Sequence, residues 1–325
     1  MDIVVLLGGN SSERDVSLAS GFRITDALRA RGHAVRVIDP ASESTESELR
    51  QQAKVKRAPP SRESLAKLST TNFVRLAELK ADVVFLGLHG GQGEDGTIQA
   101  LLDAFGLPYT GSGHLASALA MDKELSKALF RAAGVSTADW LMAPASKATV
   151  ERTLGWPVVV KPSKEGSTVG LSVVKAPTDL EAAIEEAFRY DDEVIIERFI
   201  PGRELTVAVL GEVALPIGEI FPTHEIYDYE CKYTVGMARE EFPAKLAPDV
   251  AAHVQDQAVK AFRALKLSGC ARIDFRLDAG NVPYCLEANT LPGMTGTSLV
   301  PQAAEAAGIA FEELCDRIAH LARER

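Results

Sequence analysis

The segment 271–301, with the sequence ARIDFRLDAGNVPYCLEANTLPGMTGTSLVP, constrains the fold more than any other part of the chain. Polar and apolar residues alternate on both sides of a D-A-G-N turn, which predicts a β-hairpin. With a four-residue turn, Leu277 pairs with Val282 and Arg272 pairs with Glu287. Paired residues share one face of a sheet, whereas neighbours along a strand alternate between faces. The hairpin register therefore decides which polar side chains lie together.

This register puts the polar side chains of the hairpin on one face and the apolar ones on the other. The polar face carries Arg272, Asp274, Glu287 and Asn289, and the apolar face carries Ile273, Phe275, Leu286 and Ala288. Carboxylate and amide oxygens suit Mg²⁺, and a cation beside them suits phosphate. The alternative is an amphipathic hairpin whose charged face meets solvent. The turn-rich continuation 289–295 favours a binding site, because it offers backbone N–H groups and hydroxyls to an anion.

Length and composition limit the classes of protein that the chain can belong to. Its 325 residues are enough for two or three domains, each with its own core. A net charge of −10 argues against nucleic acid as the main partner. No apolar run reaches membrane-spanning length, so we expect no membrane association. The four cysteines form no CxxC pair, which is typical of a reducing compartment, and we expect the protein in the cytoplasm.

The first hundred residues show a strand–helix–strand pattern. An apolar strand at 3–7 precedes a helix at 16–31 and a strand at 34–38, and a further strand at 83–88 precedes a helix at 97–105. Such an order predicts a parallel sheet with a ligand crevice at the carboxyl ends of its strands.

The middle of the chain has a different order of elements. One helix is predicted at 116–133, strands at 157–162, 170–174 and 193–198, and a helix at 179–187. This order predicts a small α+β unit. We therefore expect three domains, at 1–114, 115–204 and 205–325.

The loop that follows the strand at 157–162 is a candidate phosphate site. It reads VKPSKEGSTVG, and Lys161 stands where the strand meets the loop. Backbone N–H groups and the hydroxyl of Ser167 could surround phosphates while the lysine supplies charge. The alternative is a hairpin loop that needs its glycines only for turn geometry. The chain contains no GxxxxGK[ST] motif, so this is not a Walker A loop.

Several single residues are candidates for binding small polar groups. Glu197 and Glu204 stand at strand ends and could accept hydrogen bonds from adenine or ribose, although exposed acids are equally common there. Glu13 follows the first strand and could hold an ammonium group, or act only in helix capping. His89 ends another strand, and a histidine with purely structural partners is the alternative. A polar aromatic loop carries Lys232 and Tyr233, which could reach a site or simply lie on the surface. The candidates are therefore Glu13, His89, Glu197, Glu204, Lys232 and Tyr233.

Taken together, these segments resemble the D-alanine–D-alanine ligase family of ATP-grasp enzymes. The matching motifs occur in order as LLGGNSSERDVSLASG, LHGGQGEDG, PYTGSG, MDK, VKPSKEGSTVG, YDYECKY and RIDF…LEANTLPGMT…SLVP. The resemblance implies an α/β and α+β fold, the three-domain ATP-grasp fold with an N-terminal parallel-sheet domain. The polar stretch 41–71 lies outside the motifs, and we assign no chemistry to it.

The resemblance also implies the cofactors and the residues that bind them. ATP would contact Lys123, Lys161, Ser167, Glu197, Glu204 and Lys232. Two Mg²⁺ ions, which Mn²⁺ could replace, would be held by Asp274, Glu287 and Asn289. The metal ligands implied by the family are thus members of the polar face predicted from the hairpin.

The resemblance implies that the substrates are two D-alanine molecules, which are joined through an acyl phosphate for peptidoglycan synthesis. It also implies that the enzyme is a homodimer. Glu13 would bind the first D-alanine, with His89 nearby, and Arg272 and Gly293 would bind the tetrahedral oxyanion. Ser298 and Leu299 would bind the carboxylate of the second D-alanine. Tyr233 would close its loop onto Glu13 and Ser167. A tyrosine at position 233 favours the dipeptide over an ester with D-lactate. A ligase for D-lactate or D-serine, and a non-catalytic ATP-binding module, are the alternatives.

Overall fold

The computed structural model of the chain describes residues 1–53, 76–223 and 236–324, which form three β-sheets and the helices around them. Across these ranges, every helix is too short or too polar to cross a membrane. The predicted combination of α/β and α+β architecture is confirmed.

The first sheet is parallel, as the sequence predicts. Its elements are β1 (Asp2–Leu6), α1 (Arg14–Ala30), β2 (Ala34–Ile38), α2 (Glu46–Gln52), β3 (Val83–Leu86) and α3 (Thr97–Ala104). The strands lie in the order β2-β1-β3, and both pairs are parallel. The loops after β1 and β3 therefore meet at the same edge of the sheet. Most of the polar stretch 41–71 lies outside the described residues.

The second sheet is a small antiparallel one with helices beside it. Its segment contains α4 (His114–Met121), α5 (Lys123–Ala132), β4 (Trp140–Met142), α6 (Lys147–Thr153), β5 (Val158–Pro162), β6 (Ser172–Val174), α7 (Leu180–Ala187) and β7 (Val194–Arg198). The strand order is β4-β7-β5-β6. The single helix predicted at 116–133 is wrong, because Asp122 leaves the helical conformation and its carboxylate accepts from the Leu125 N–H (3.0 Å). An aspartate at this position starts a new helix.

The third sheet is antiparallel and carries the hairpin. Its elements are β8 (Arg203–Leu210), β9 (Val213–Ala214), β10 (Gly218–Pro222), β11 (Ala238–Glu241), α8 (Pro248–Ala264), β12 (Cys270–Leu277) and β13 (Pro283–Asn289), followed by α9 (Leu299–Ala306) and α10 (Phe311–Leu321). Strands β11, β10, β8, β12 and β13 are neighbours in that order, and β9 pairs with β8. The hairpin of β12 and β13 lies at one edge of this sheet.

The hairpin register differs from the predicted one in two places that cancel. Leu277 pairs with Pro283 rather than Val282, so that the loop has one residue more than predicted. A β-bulge at Leu286 on β13, opposite Asp274 and Phe275, adds a second extra residue. Arg272 therefore pairs with Asn289 rather than with Glu287. Each one-residue change reverses the faces, and two changes restore them. The polar face is therefore as predicted although both of the predicted residue pairs are wrong.

One apolar position of the hairpin is also corrected. Cys285 is fully buried in the core of the third sheet, together with Ile273, Phe275 and Ala288. Leu286 is only partly buried and lines the cleft beside Glu287. The bulge is the reason, because it turns Leu286 to the face of the acids.

The hydrophobic cores connect the sheets. Ile3 and Leu7 of the first sheet pack in one cluster with Leu314 and Ile318 of α10. Helices α4 and α5 contribute side chains such as Phe130 to the core of the third sheet. As a result, the loops at the edge of the first sheet face the segment that follows β13. The division into domains at 1–114, 115–204 and 205–325 stays a prediction.

Candidate active site

The candidate site is a cleft between the second and third sheets. It encloses about 1030 Å³ of space, part of which is open to solvent. Its walls include eight of the predicted site residues, namely Lys123, Lys161, Glu197, Glu204, Arg272, Asp274, Glu287 and Leu299. Apolar side chains such as Val159, Phe199 and Ile220 line the same space. Apolar walls combined with a few charged groups are typical of a cleft for a cofactor.

A buried carboxylate between two ammonium groups lies at the base of the cleft. Glu197 on β7 has one oxygen 3.0 Å from Lys161 Nζ and the other 3.2 Å from Lys127 Nζ. All three residues are buried, and Lys127 is fully inaccessible to solvent. Lys127 also donates to Thr137 Oγ1 (2.7 Å). The carboxylate therefore holds Lys161 at the end of β5, where the ammonium borders the cleft.

Lys127 is a residue that the sequence interpretation missed. It lies on α5 four residues after Lys123, which places both lysines on one face of the helix, and Phe130 continues that face. Its neighbours at helical spacing include Lys123, Glu124 and Arg131, so the sequence carries no local signal that this lysine is buried. Lysine is almost never fully buried without a partner.

The two ammonium groups control the ionisation of Glu197. Burial raises the pKa of the carboxyl, but the positive charges of Lys127 and Lys161 outweigh it, so that the pKa falls from 4.5 to about 2. The carboxylate therefore stays ionised at neutral pH. Burial also lowers the pKa of the Lys127 ammonium, and Glu197 opposes that effect.

We expect this ion cluster to lose stability in acid. Because the pKa of Glu197 is lower in the folded state, its contribution is present above pH 4.5 and is lost as the pH falls towards about 2. The measurement is the free energy of unfolding by urea at intervals from pH 6 to pH 3, in the wild type and in Lys127→Met. The variant should lose less stability over this range, since one of the two charges that lower the pKa is gone. Equal losses in both proteins would contradict the assignment.

Lys123 connects the loop 163–171 to the hairpin. Its Nζ donates to the carbonyl oxygen of Glu165 (2.6 Å) and to that of Ser163 (3.3 Å), and it lies 3.7 Å from Glu287 Oε2. Burial lowers the pKa of this ammonium, while Glu287 opposes the effect. The lysine thus places a positive charge between the candidate phosphate loop and the acidic face of β13.

The loop 163–171 takes an unusual backbone course at its tip. Ser167 and Thr168 have positive φ angles of 49° and 60° although neither is glycine. The Ser167 hydroxyl donates to Glu13 Oε1 (2.5 Å), a residue 154 positions earlier. The structure therefore brings together two predicted site residues from the first sheet and the second.

Glu13 is held in place by its own loop and by glycines. Its side chain is buried, and a Cβ at Gly90 would lie 3.0 Å from Glu13 Oε2. The loop before Glu13 is fixed by Arg14, which donates to the Gly9 carbonyl (2.6 Å) and forms a buried ion pair with Asp39 (2.6 Å). A buried carboxylate with a fixed position is suited to receive an ammonium group.

His89 lies within a buried network rather than on an open surface. Its Nδ1 is 2.9 Å from the Leu291 carbonyl oxygen, and its Nε2 is 3.1 Å from Ser20 Oγ. A neutral ring that donates from Nδ1 to the carbonyl accepts from the serine hydroxyl at Nε2. His89 therefore connects α1 to the segment after β13, and its predicted role in substrate binding stays a prediction.

Asp274 is the centre of the polar face of the hairpin. Arg272 donates to both of its oxygens, with Nε–Oδ1 at 2.9 Å and Nη2–Oδ2 at 2.8 Å. Thr206 Oγ1 (2.7 Å) and Asn289 Nδ2 (3.0 Å) donate to the same carboxylate. Glu287 is directly opposite Asp274 in the ladder. Two carboxylates, an amide and a guanidinium thus share one small area beside the cleft.

These side chains provide a suitable donor set for a hard cation. Within the described residues, no group of three or more His, Cys, Asp or Glu side chains is arranged to hold a metal ion. Asp274 and Glu287 nevertheless supply carboxylate oxygens, and a half-turn of the Asn289 amide would present its oxygen to the same position. Oxygen donors of this kind fit Mg²⁺. The metal-ligand assignment stays a prediction.

The segment after β13 forms a tight turn at the start of α9. Thr295 N–H donates to Ser298 Oγ (2.9 Å), and a Cβ at Gly293 would lie 2.7 Å from that oxygen, so that a larger residue there would displace the Ser298 hydroxyl. Ser298 is the N-cap residue of α9, and its side chain makes no capping hydrogen bond. The first N–H groups of a helix have no partner within the helix and favour an anion.

Models of two domain families match the chain in succession. The model described as D-ala D-ala ligase N-terminus matches residues 2–112, and the one described as D-ala D-ala ligase C-terminus matches residues 123–320. The chain belongs to the D-alanine–D-alanine ligase family.

Relatives in this ligase family resemble the chain over its whole length. A D-alanine–D-alanine ligase of Anaeromyxobacter sp. (strain Fw109-5) is 44% identical over 97% of this chain and 95% of its own. One of Halalkalibacterium halodurans is 42% identical, with full coverage of both chains. The crystal structure of the D-alanine–D-alanine ligase from Bacillus anthracis superposes with a TM-score of 0.80 at 34% identity, covering 100% of this chain and 98% of the other. The structure of that ligase complexed with ATP gives 0.78 at 31% identity, covering 100% and 97%.

Two predicted site residues of the ligase lie outside the described residues. These are Lys232 and Tyr233. The acid at the other end of the cleft, Glu204 on β8, accepts from Arg276 Nη1 (3.2 Å). The roles of these three residues stay predictions.

Proposed function

We infer that the chain is an ATP-dependent ligase that joins two D-alanine molecules into D-alanyl-D-alanine, a precursor of peptidoglycan. The observation that carries this inference is the family match over both halves of the chain, on a fold shared with a ligase that binds ATP. The cleft supports it, because carboxylates and lysines converge where a nucleotide would meet two small amino acids.

The reaction consists of two transfers. A carboxylate oxygen of the first D-alanine attacks the γ-phosphorus of ATP, the bond to the ADP oxygen breaks, and an acyl phosphate forms. The amine of the second D-alanine then attacks the acyl carbon and loses a proton, and inorganic phosphate leaves. Both steps depend on orientation and on the neutralisation of negative charge.

Positive charge for the phosphates comes from Lys123 and Lys161, which border the cleft. Glu197 fixes Lys161, while the carbonyl oxygens of the loop 163–171 fix Lys123. In this proposal, Asp274, Glu287 and Asn289 would hold Mg²⁺, which would supply further positive charge near the phosphates. Glu197 and Glu204 lie in the walls where the adenosine part would bind.

The first D-alanine is placed by Glu13, whose buried carboxylate receives the ammonium group. The Ser167 hydroxyl supports this arrangement, because it donates to Oε1 of Glu13 and so helps to orient the carboxylate. The oxyanion of the second step is assigned to Arg272, which is oriented by Asp274, and to the N–H of Gly293. Donors that are fixed in advance stabilise a developing oxyanion most effectively.

The second D-alanine is assigned to the start of α9. The carboxylate of this substrate would bind at Ser298 and at the N–H of Leu299, where the helix presents free donors. Leu299 also lines the cleft. In the same proposal, Lys232 and Tyr233 complete the site, and two copies of the chain act as a homodimer in the cytoplasm.

The direct test follows phosphate release from ATP with Mg²⁺ and a panel of D-alanine, D-serine, D-lactate and L-alanine. We expect release to depend on D-alanine and the product to be D-alanyl-D-alanine, identified by mass spectrometry. A preference for D-lactate at neutral pH would change the second substrate of the proposal. If folded protein releases no phosphate with D-alanine, the proposed function is wrong.

A further inference from the structure

Arg23 connects helix α1 to the segment after β13. Its Nη1 donates to the carbonyl oxygen of Met294 (3.1 Å) and to that of Thr295 (2.5 Å). These partners lie 271 and 272 residues further along the chain. They are the two residues that follow Gly293. A guanidinium that donates to two consecutive carbonyl groups fixes the orientation of both peptide planes.

Other contacts from the first sheet hold the same segment. Ser20 Oγ accepts from the N–H of Met294 (3.2 Å), and Ser20 lies three residues before Arg23 on the same face of α1. His89 Nδ1 is 2.9 Å from the carbonyl oxygen of Leu291. Both backbone polar groups of Met294 are therefore bound to α1. Ser20 thus fixes the peptide between Gly293 and Met294, and Arg23 fixes the one between Met294 and Thr295.

The guanidinium of Arg23 is itself held from the opposite side. Its central carbon lies 3.7 Å from the centre of the Phe311 ring on α10. A planar guanidinium can stack on a ring and donate in its plane at the same time, which an ammonium cannot do. Arg23 thus joins α1, α10 and the segment 293–298 through a single side chain.

We propose that Arg23 is a positioning residue for the second amino-acid site, an inference that rests on the proposed function. The segment that it holds carries Gly293 and Ser298, the groups assigned to the oxyanion and to the second carboxylate. Arg23 acts through the carbonyl groups of Met294 and Thr295 and fixes the distance between α1 and the start of α9. The first substrate and ATP bind to other residues, so they are not affected.

The test is the kinetic behaviour of Arg23→Met. Steady-state phosphate release over a wide range of D-alanine concentrations separates the KM values of the two amino-acid sites, and ATP is varied in a second series. We expect the KM for the second D-alanine to rise about tenfold, the effect of losing charged hydrogen bonds that order the site. The KM for ATP and that for the first D-alanine should stay within about twofold of the wild type.

Arg29→Met is the matched control, because Arg29 lies on the same helix and donates to Glu46 and to the Val35 carbonyl, far from the segment 293–298. It should change none of the three KM values. Arg23→Lys keeps the positive charge but cannot stack on the Phe311 ring as a plane. Its KM for the second D-alanine should lie between those of the wild type and Arg23→Met. This variant also serves if Arg23→Met does not fold.

The outcomes separate this inference from the one on which it rests. If the wild type forms D-alanyl-D-alanine and Arg23→Met keeps its KM for the second D-alanine, the role of Arg23 is wrong and the proposed function stands. An equal rise in all three KM values would also overturn the role, since it would indicate general destabilisation. A wild type that does not use D-alanine would refute both.

Discussion

Glu287→Gln is expected to lower turnover on the order of a thousandfold while leaving the fold intact, the scale of losing one main source of charge stabilisation in an active site. Glu287 pairs with Asp274 across the hairpin, and its Oε2 lies 3.7 Å from Lys123 Nζ. The amide has nearly the same shape as the carboxylate, but it removes one of the two negative charges proposed to bind Mg²⁺. Binding of the cation should therefore weaken together with turnover.

Two measurements distinguish loss of the metal site from loss of the fold. Titration with Mn²⁺, followed by electron paramagnetic resonance in the presence of ADP, reports binding of the cation directly. Thermal unfolding reports the fold and should change little, because Glu287 is partly exposed. Glu212→Gln is a control, since Glu212 is an exposed carboxylate of the same sheet region that pairs with Arg263. Turnover or Mn²⁺ affinity close to the wild type in Glu287→Gln would contradict the metal assignment.

The hairpin illustrates how far local sequence patterns determine this site. Alternation of polar and apolar residues identifies the strands and the face that carries Asp274 and Glu287. It does not reveal the longer loop or the bulge at Leu286, because neither changes the composition of the segment. The predicted face is right only because the two errors compensate. A single additional residue would have moved the acids into the core.

Contacts over long sequence separations were beyond prediction from patterns. Arg23 has the spacing of an ordinary residue of α1, and its partners lie more than 270 positions away. The bond between Ser167 and Glu13 likewise depends on how two sheets pack. Lys127 shows the same limit, since helical spacing groups it with the charged residues Lys123 and Arg131 of α5, and yet the structure buries it. Local periodicity finds the helix, whereas tertiary packing decides which of its side chains are buried and what they contact.

Glu197→Gln is expected to destabilise the protein by about 3–5 kcal/mol, the range found when one partner of a buried ion pair is removed. The substitution leaves the ammonium groups of Lys127 and Lys161 buried without the carboxylate that lies 3.2 Å and 3.0 Å from them. Lys127→Met should cost much less. Glu197 keeps Lys161 as its partner in that variant, and a methionine fills most of the space of the lysine chain.

The double variant Glu197→Gln/Lys127→Met gives the sharpest test of this arrangement. Removing Lys127 takes away one of the two charges that Glu197→Gln leaves uncompensated. The double variant should therefore be more stable than Glu197→Gln alone, although it carries one more substitution. Urea unfolding of the four proteins measures the coupling free energy. Additive losses would mean that Glu197 and Lys127 do not interact, which would contradict the proposed ion cluster.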